Sequence, residues 1–153
     1  MPLEIREIET TRELKAFIQF PHRLYRGNPY WVPNLVADDM NALHWKKNPA
    51  FEHCEARYWM AFKDGQPAGR IAAIWNPLYI EKWGSRRMRF GWIEFIDDPA
   101  VSSALLEKVE TWAREKGMTA VHGPLGFTDL DREGMLVEGF DELDCFAVLV
   151  EHE

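Results

Sequence analysis

The amino-acid sequence predicts a mixed α+β or three-layer α/β domain, with a central, mostly antiparallel sheet flanked by helices. Two apolar runs are joined by Asp64-Gly65, which is a strong signal for a β-hairpin. Further along, an aromatic strand, a helix and a short apolar strand follow one another, which is the order of a parallel crossover. The 153 residues are enough for one core, so we expect a single domain over residues 1–153.

Composition and charge limit the classes of protein to which this chain can belong. It is 46% hydrophobic and 28% charged, as is usual for a globular protein. A net charge of −7 disfavours nucleic-acid binding, which needs clustered Lys and Arg. Cys54 and Cys145 provide no disulfide framework, and no apolar run approaches the length of a membrane span. We therefore expect a cytoplasmic protein with neither nucleic-acid nor membrane partners.

The first elements are a short strand and helices. Residues 3–8 alternate between apolar and polar side chains, which predicts a half-buried strand. Thr10 and Glu13 have the spacing of a capping box and mark the start of a helix. Pro21 disfavours helical backbone in the residue before it, so we expect this helix to end there. A separate turn or short helix is then predicted over residues 22–26.

The middle of the chain predicts one more helix and the hairpin. The helix is expected over residues 35–45, and the hairpin strands over residues 55–62 and 67–75. Residues 78–88 are interpreted as a loop. A basic cluster lies between Lys82 and Arg89 and is formed by Lys82, Arg86, Arg87 and Arg89. The cluster could meet a phosphate or a carboxylate, and a solvated hairpin tip is the favoured interpretation.

The stretch from Arg89 to Gly117 organises the fold. Residues 89–96 are aromatic and β-branched, as in a strand, and Asp98 and Pro99 suit the cap and first position of a helix. Apolar residues recur at helical spacing after them: Val101, Leu105, Val109, Trp112 and Ala113. A helix that starts directly after a strand points backbone N–H groups beyond the sheet, which makes a natural anion site.

Residues 118–153 are predicted to contain little regular secondary structure. Residues 118–122 predict a buried strand, and Gly123-Pro124 ends it. The region 129–153 is an acidic tail, with nine acidic residues and one arginine. A last strand is expected over residues 146–150.

Several phrases in the chain resemble an uncharacterised bacterial branch of the GNAT N-acetyltransferases. The phrases are Phe20-Pro21-His22-Arg23-Leu24-Tyr25, Pro29-Tyr30-Trp31-Val32-Pro33, Asn48-Pro49-Ala50-Phe51, Gly69-Arg70-Ile71-Ala72-Ala73, Phe90-Gly91-Trp92 with Phe95-Ile96-Asp97-Asp98, Gly123-Pro124, Glu133-Gly134 and Gly139-Phe140. Members of that branch are longer, so the resemblance implies a GNAT-like domain that lacks the last helix and strands. The open sheet edge that this would leave could pair with a second copy, which implies a homodimer.

The resemblance also implies where a cofactor would bind. In GNAT enzymes the pyrophosphate of acetyl-CoA, or another acyl-CoA, sits on backbone N–H groups between the fourth strand and the next helix. The matching positions here are Ile96, Asp97, Ala100, Val101, Ser102 and Ser103. The usual glycine-rich signature is missing, two aspartates would repel the pyrophosphate, and Pro99 has no N–H to donate. A plain capped helix start is the alternative interpretation.

Glu94 is the candidate catalytic base, because acetyltransferases often keep a carboxylate on this strand. Strand alternation predicts Phe90, Trp92 and Glu94 on one face. Glu94 would then either take a proton from an amine in a pocket or be a solvated or salt-bridged carboxylate.

The remaining candidate residues do not predict a further functional site. His53, Cys54 and Glu55 are neighbours on a strand and point to opposite faces, so no metal site is expected. His122 is interpreted as a hydrogen-bonded core histidine. An aromatic set could line a pocket for an acyl chain and is better explained as core: Tyr30, Trp31, Phe51, Tyr58, Trp59, Trp75 and Trp92.

Two functions remain open from the sequence. The first is an N-acyltransferase, or an inactive remnant of one, that moves an acyl group from acyl-CoA to a small-molecule amine. The second is a non-catalytic module of the same fold that binds a ligand or a partner chain.

Overall fold

The computed structural model describes residues 2–143, and in this part of the chain a five-stranded sheet is covered by helices on both faces. The strands are β1 (Leu3–Glu7), β2 (Glu55–Lys63), β3 (Gln66–Trp75), β4 (Arg87–Phe95) and β5 (Ala120–His122). They lie in chain order across the sheet, and every neighbouring pair is antiparallel except β4 and β5. The predicted mixed, mostly antiparallel sheet is confirmed. The strand predicted over residues 146–150 falls outside the described residues.

Two apolar clusters hold the helices against the sheet. The helices are α1 (Thr11–Leu24), α2 (Val36–Leu43), α3 (Pro77–Trp83) and α4 (Pro99–Glu115). The first cluster joins α1 and α2 to one face, through residues that include Leu14, Phe17, Leu43, Tyr58 and Met60. The second joins α4 to the opposite face, through residues that include Ile71, Val101, Leu105, Val109 and Trp112. This arrangement gives three layers.

The hairpin and α4 form as the sequence predicts. Asp64 and Gly65 both have positive φ values, 54° and 75°, which matches the twist of a two-residue hairpin turn. Asp98 caps α4, since its side chain accepts a hydrogen bond from the N–H of Ala100. The predicted apolar stripe of α4 is buried throughout. Local turn and cap chemistry therefore decides these elements.

The prediction that α1 ends before Pro21 is wrong. The helix continues through Pro21 to Leu24. A proline inside a helix leaves the carbonyl four residues earlier without its N–H donor, and here that carbonyl belongs to Phe17. Arg70 of β3 replaces the missing donor, because its Nη1 lies 2.9 Å from the Phe17 carbonyl oxygen. A side chain 53 residues away thus repairs the helix, which no local rule could predict.

The loop predicted over residues 78–88 contains a helix instead. Asn76 caps α3 by accepting hydrogen bonds from two backbone N–H groups, and Gly84 ends it with a φ of 64°. The strand β4 already begins at Arg87. Arg87 of the basic cluster therefore lies within a strand, as Arg89 was predicted to do, and neither residue is part of a hairpin tip. The preceding helix α2 is also shorter than predicted, because residues 44 and 45 lie beyond its end.

We expect Pro21 and Arg70 to be energetically coupled. Arg70→Met removes the donor to Phe17 and the buried positive charge beside Glu94 and Asp39, so we expect a loss of about 3 kcal/mol in the free energy of unfolding. In the double variant with Pro21→Ala, the new N–H can reach the Phe17 carbonyl and restores about 1 kcal/mol. Urea unfolding of the four proteins of this double-mutant cycle measures the coupling. Strictly additive effects would contradict the repair.

Candidate functional site

The sheet opens at one point, where β4 and β5 part. The two strands pair from Arg87 to Arg89, and one further bond joins the N–H of Leu125 to the carbonyl of Phe90 at 2.8 Å. Within residues 2–143 no strand pairs with that edge of β4 beyond Phe90. Gly91 stands at the parting, and a Cβ atom there would lie 2.2 Å from the Leu125 carbonyl oxygen. Only glycine allows the two segments to approach so closely before they separate.

A bulge directly after Gly91 changes which side chains share a face. Arg70 pairs with Glu94 and Ala72 pairs with Gly91, so two residues of β4 stand opposite one residue of β3. Trp92 takes up the irregularity with a φ of 47°. As a result Phe90 packs in the cluster with α4, whereas Trp92 packs in the cluster with α1. The prediction that Phe90 shares the face of Trp92 and Glu94 is wrong, because strand alternation is interrupted here.

Glu94 lies in a group of polar residues beneath α1, which we call the Glu94 cluster: Glu94, Tyr25, Arg70 and Asp39. The Tyr25 hydroxyl donates a hydrogen bond to the Glu94 carboxylate. Arg70 is the register partner of Glu94, so the two side chains lie on the same face of the sheet. The sequence left open whether Glu94 is solvated, and the structure places it half-buried and hydrogen-bonded.

Burial shapes the electrostatics of the Glu94 cluster. Arg70 is only 5% exposed, and burial lowers its pKa to about 10, against the opposing charges of Glu94 and Asp39. Arg70 therefore remains a cation at neutral pH. Burial also raises the pKa of Tyr25, and the hydrogen bond to Glu94 raises it further. The phenol consequently stays protonated and keeps donating to the carboxylate.

Asp39 supplies a second carboxyl group on the same side. Burial raises its pKa, while the charge of Arg70 and hydrogen bonds from Asn34 and Trp92 oppose this effect. Asn34 Nδ2 lies 3.3 Å from Asp39 Oδ1. Tyr25, Asp39 and Arg70 were not predicted as site residues. One signal was present, because Arg70 is a single charge within an otherwise apolar strand, and such a charge needs buried partners.

The start of α4 already holds a negative group. Asp98 accepts from the N–H of Ala100 at 2.9 Å, and Lys63 Nζ lies 2.5 Å from its other carboxylate oxygen. The hydrogen bond with Lys63 is the main reason that the pKa of Asp98 is lowered. The N–H groups of Val101 and Ser102 are bound to the Asp98 carbonyl.

The six positions predicted to hold CoA are therefore arranged as a capped helix start. Asp97, Ala100 and Ser103 are exposed, and Ile96 and Ser102 are half-buried. Val101 is fully buried, and its side chain belongs to the core. Whether a pyrophosphate binds there stays a prediction.

The other predicted residues are dispersed. Tyr58 and Trp59 are core, as expected, but Tyr30 is 40% exposed. Cys54 is buried, and burial raises the pKa of its thiol. Over residues 2–143 no three His, Cys, Asp or Glu side chains converge as ligands for a metal ion. In the same part of the chain, no helix is both long and apolar enough to span a bilayer.

An open groove adjoins the Glu94 cluster on the outer side of α1. Its volume is about 340 Å³, and its lining residues are Gln19, His22, Arg23, Arg26 and Val36. The His22 ring meets Trp31 edge-on at 5.1 Å, and Trp31 stacks on Tyr25 at 5.2 Å. A chain of contacts through Trp31 and Tyr25 therefore links His22 of the groove to Glu94.

We expect two of the four tyrosines, Tyr25 and Tyr58, to ionise only when the protein unfolds. Burial raises the pKa of both, so their contribution to stability is present below about pH 10 and is lost as the pH rises further. Tyrosinate absorbance, recorded at about pH 11 before and after addition of urea, measures the effect. In Tyr25→Phe the rise on unfolding should be smaller by one tyrosine. An unchanged rise would show that Tyr25 is accessible in the folded protein.

Comparisons with known proteins identify relatives of this chain by sequence and solved structures with a similar fold. No family model matches the chain. Protein YghO of Escherichia coli K12 is 38% identical over 141 residues, and a bacterial ceramide synthase of Caulobacter vibrioides is 36% identical over 140 residues. These alignments cover 92% and 91% of this chain but only 36% of each relative. The chain thus spans about a third of the length of the curated relatives that it matches.

Solved structures resemble the chain at lower sequence identity. A predicted acetyltransferase with acetyl-CoA from Clostridium acetobutylicum superposes with a TM-score of 0.56 at 14% identity, over 79% of each chain. A tandem GNAT protein from the clavulanic acid biosynthesis pathway superposes with a TM-score of 0.58 at 15% identity, over 80% of this chain and 37% of its own. Together with the five-stranded sheet and its flanking helices, these likenesses show that the chain has the GNAT fold.

Proposed function

We propose that this chain is an acyl-CoA-dependent N-acyltransferase domain. The observation that carries the proposal is the position of Glu94. It is a half-buried, hydrogen-bonded carboxylate next to the place where β4 and β5 part, in a fold that known acetyltransferases share. A carboxylate in such a position can accept a proton from an amine, either directly or through one water molecule.

The proposed reaction needs one base and a bound thioester. The amine nitrogen attacks the thioester carbonyl carbon, so that a C–N bond forms and the C–S bond breaks. The proton of the amine passes to Glu94, and CoA leaves as a thiolate that takes up a proton. Tyr25 holds the Glu94 carboxylate in place, and Arg70 supplies the nearby positive charge.

Acyl-CoA binding at the start of α4 would require a local exchange of partners. The Asp98 carboxylate accepts a hydrogen bond from the Ala100 N–H group and forms an ion pair with Lys63. A pyrophosphate that displaces it would gain both donors and the dipole of α4. We therefore include Lys63 with the six predicted positions in the proposed cofactor site, and we treat Asp98 as the group that competes with the cofactor.

The relative named as a ceramide synthase suggests the class of acceptor. A ceramide is an amide of a long-chain amino alcohol, so we propose a long-chain primary amine as the acceptor of this domain. Apolar rings lie on the face of the sheet that carries Glu94, where Trp92 contacts Phe127 at 5.9 Å between ring centroids. Phe127 also contacts Phe51 at 5.2 Å. Such rings suit an alkyl chain better than a polar substrate.

A non-catalytic module of the same fold is the second candidate. The occupied start of α4 favours it, and so does an exposed apolar set in the acidic segment after β5: Leu130, Met135, Leu136, Val137, Phe140 and Leu143. Pairing of two copies through a sheet edge stays a prediction of this alternative. A folded chain that binds no CoA but forms dimers in solution would support it.

We expect Asp98→Ser to bind CoA more tightly than the unchanged protein. Serine keeps the helix cap and removes the competing charge, so the dissociation constant should fall by about fivefold, which corresponds to ~1 kcal/mol. Isothermal titration of acetyl-CoA measures the change. Asp129→Ser, which removes an exposed charge elsewhere, is the matched control and should bind like the unchanged chain. Equal affinity in all three proteins would place CoA away from α4.

We expect Glu94→Gln to lower kcat by about 100- to 10,000-fold with little change in CoA affinity, because it removes only the proton acceptor. Release of free CoA from palmitoyl-CoA in the presence of sphinganine measures the rate. Glu107→Gln, on the exposed side of α4, is the control. A folded chain that binds no acyl-CoA at millimolar concentration would overturn the proposed function. Full activity in Glu94→Gln would overturn only the role of Glu94.

A further inference from the structure

The basic cluster identified in the sequence divides into two parts in the fold. Lys82 and Arg86 are exposed, but Arg89 lies in β4 and is half-buried. The register of the sheet places Arg89 beside His122 of β5, on the same face of two adjacent strands. The functional role proposed above uses neither residue.

Arg89, His122 and Tyr79 form a compact group at this corner of the sheet. The Arg89 guanidinium lies 5.0 Å from the centroid of the Tyr79 ring. The same ring lies 6.3 Å from the ring of His122. Arg89 Nη1 donates a hydrogen bond to the Gly126 carbonyl oxygen at 3.1 Å. This bond and the ring fix the direction of the guanidinium.

Two buried nitrogen atoms in this group have no partner among residues 2–143. They are Arg89 Nε and His122 Nε2. Over the same residues, no carboxylate lies within ion-pair distance of Arg89 or of its neighbour Arg87. Buried polar groups in native proteins are nearly always hydrogen-bonded, and an orphaned pair therefore calls for a partner.

We propose that Arg89 and His122 bind a small oxyanion, either a carboxylate or a phosphate group, beneath the ring of Tyr79. An oxyanion can accept from Arg89 Nε and from the protonated Nε2 of His122 at once, which satisfies both orphaned atoms. It also supplies the negative charge that the corner lacks. The site lies on the strand that carries Glu94, five residues before it, and its existence does not depend on acyl transfer.

The charges around His122 are positive and would attract an anion. Burial lowers its pKa, and the nearby Arg89 and Arg87 cations lower it further. The charge of Arg89 also reaches Cys54, where it opposes the effect of burial on the thiol. A bound oxyanion would offset this positive field at the corner.

Tyr79 covers the site from the short helix α3. No side chain of α3 is fully buried, and Leu78 and Trp83 are 51% and 65% exposed. Little apolar contact would be lost if α3 moved outward by the width of a small anion. Arg89 Nε and His122 Nε2 are shielded from solvent in the structure. An outward movement of α3 would make both atoms accessible.

The test uses inorganic phosphate and acetate as probes on the whole chain. Nitrogen-15 spectra of the histidine rings are recorded during titration with each anion at constant ionic strength. We expect the His122 signals to shift and to saturate, while those of His44, whose Nε2 lies 3.1 Å from the Thr11 hydroxyl oxygen, do not. Saturation by phosphate alone would identify a phosphate site, and saturation by acetate alone would identify a carboxylate site.

Matched variants separate this site from general charge attraction. Arg89→Gln should weaken binding by at least about tenfold, because the fork of donors is lost, and Arg89→Lys should weaken it less. Arg86→Gln removes an exposed charge next to the site and should leave binding unchanged. Amide spectra of each variant confirm that it is folded.

The proposal is overturned by either of two results. One is the absence of any saturable His122 shift with both anions, which would assign the orphaned nitrogens to a bridging water. The other is equal weakening in Arg86→Gln and Arg89→Gln, which would show nonspecific attraction. Neither result bears on acyl-CoA binding at α4, so failure here and failure of the proposed function can be distinguished.

Discussion

The buried guanidinium of Arg70 is the interaction on which the centre of this fold depends. It donates to the Phe17 carbonyl that Pro21 leaves unbonded, and it lies opposite Glu94 in the sheet. Removing such a cation from water is costly, and the nearby carboxylates Glu94 and Asp39 are what keep it charged. One side chain therefore joins the path of α1, the face of β4 and the charge of the candidate site. The continuity of α1 past Pro21 and the position of the Glu94 carboxylate therefore depend on the same residue, Arg70.

The second constraint is the parting of β4 and β5. Gly91 lets the chain pass close to Leu125, and the bulge at Trp92 follows immediately. The parting exposes one edge of β4, and the bulge turns Trp92 toward α1 while Glu94 keeps its place opposite Arg70. Irregular backbone of this kind is common beside functional sites because it redirects side chains that a regular strand would place elsewhere. The geometry of the candidate site is thus built into the sheet.

Local patterns were sufficient for most of the fold and insufficient for the site. The hairpin at Asp64-Gly65 and the capped helix after Asp98 follow from turn and cap residues within a few positions of each other. The path of α1 beyond Pro21 does not, because its donor comes from β3. The face of Phe90 was mispredicted for a similar reason, since a bulge becomes visible only in the register with the neighbouring strand. Tyr25 and Asp39 meet Glu94 only after three separate elements have packed.

The order of the strands has a consequence for how the sheet can form. Each strand pairs with the one before it in the chain, so the sheet can grow outward from the β2–β3 hairpin. Among the described strands, β1 has the most distant partner along the chain, since Leu3 pairs with Lys63. The entropic cost of closing a loop rises only slowly with loop length. However, this cost arises before the contacts of β1 form and stabilise the sheet. The topology therefore favours a folding order in which the strands around Glu94 assemble early and the β1 edge is added late.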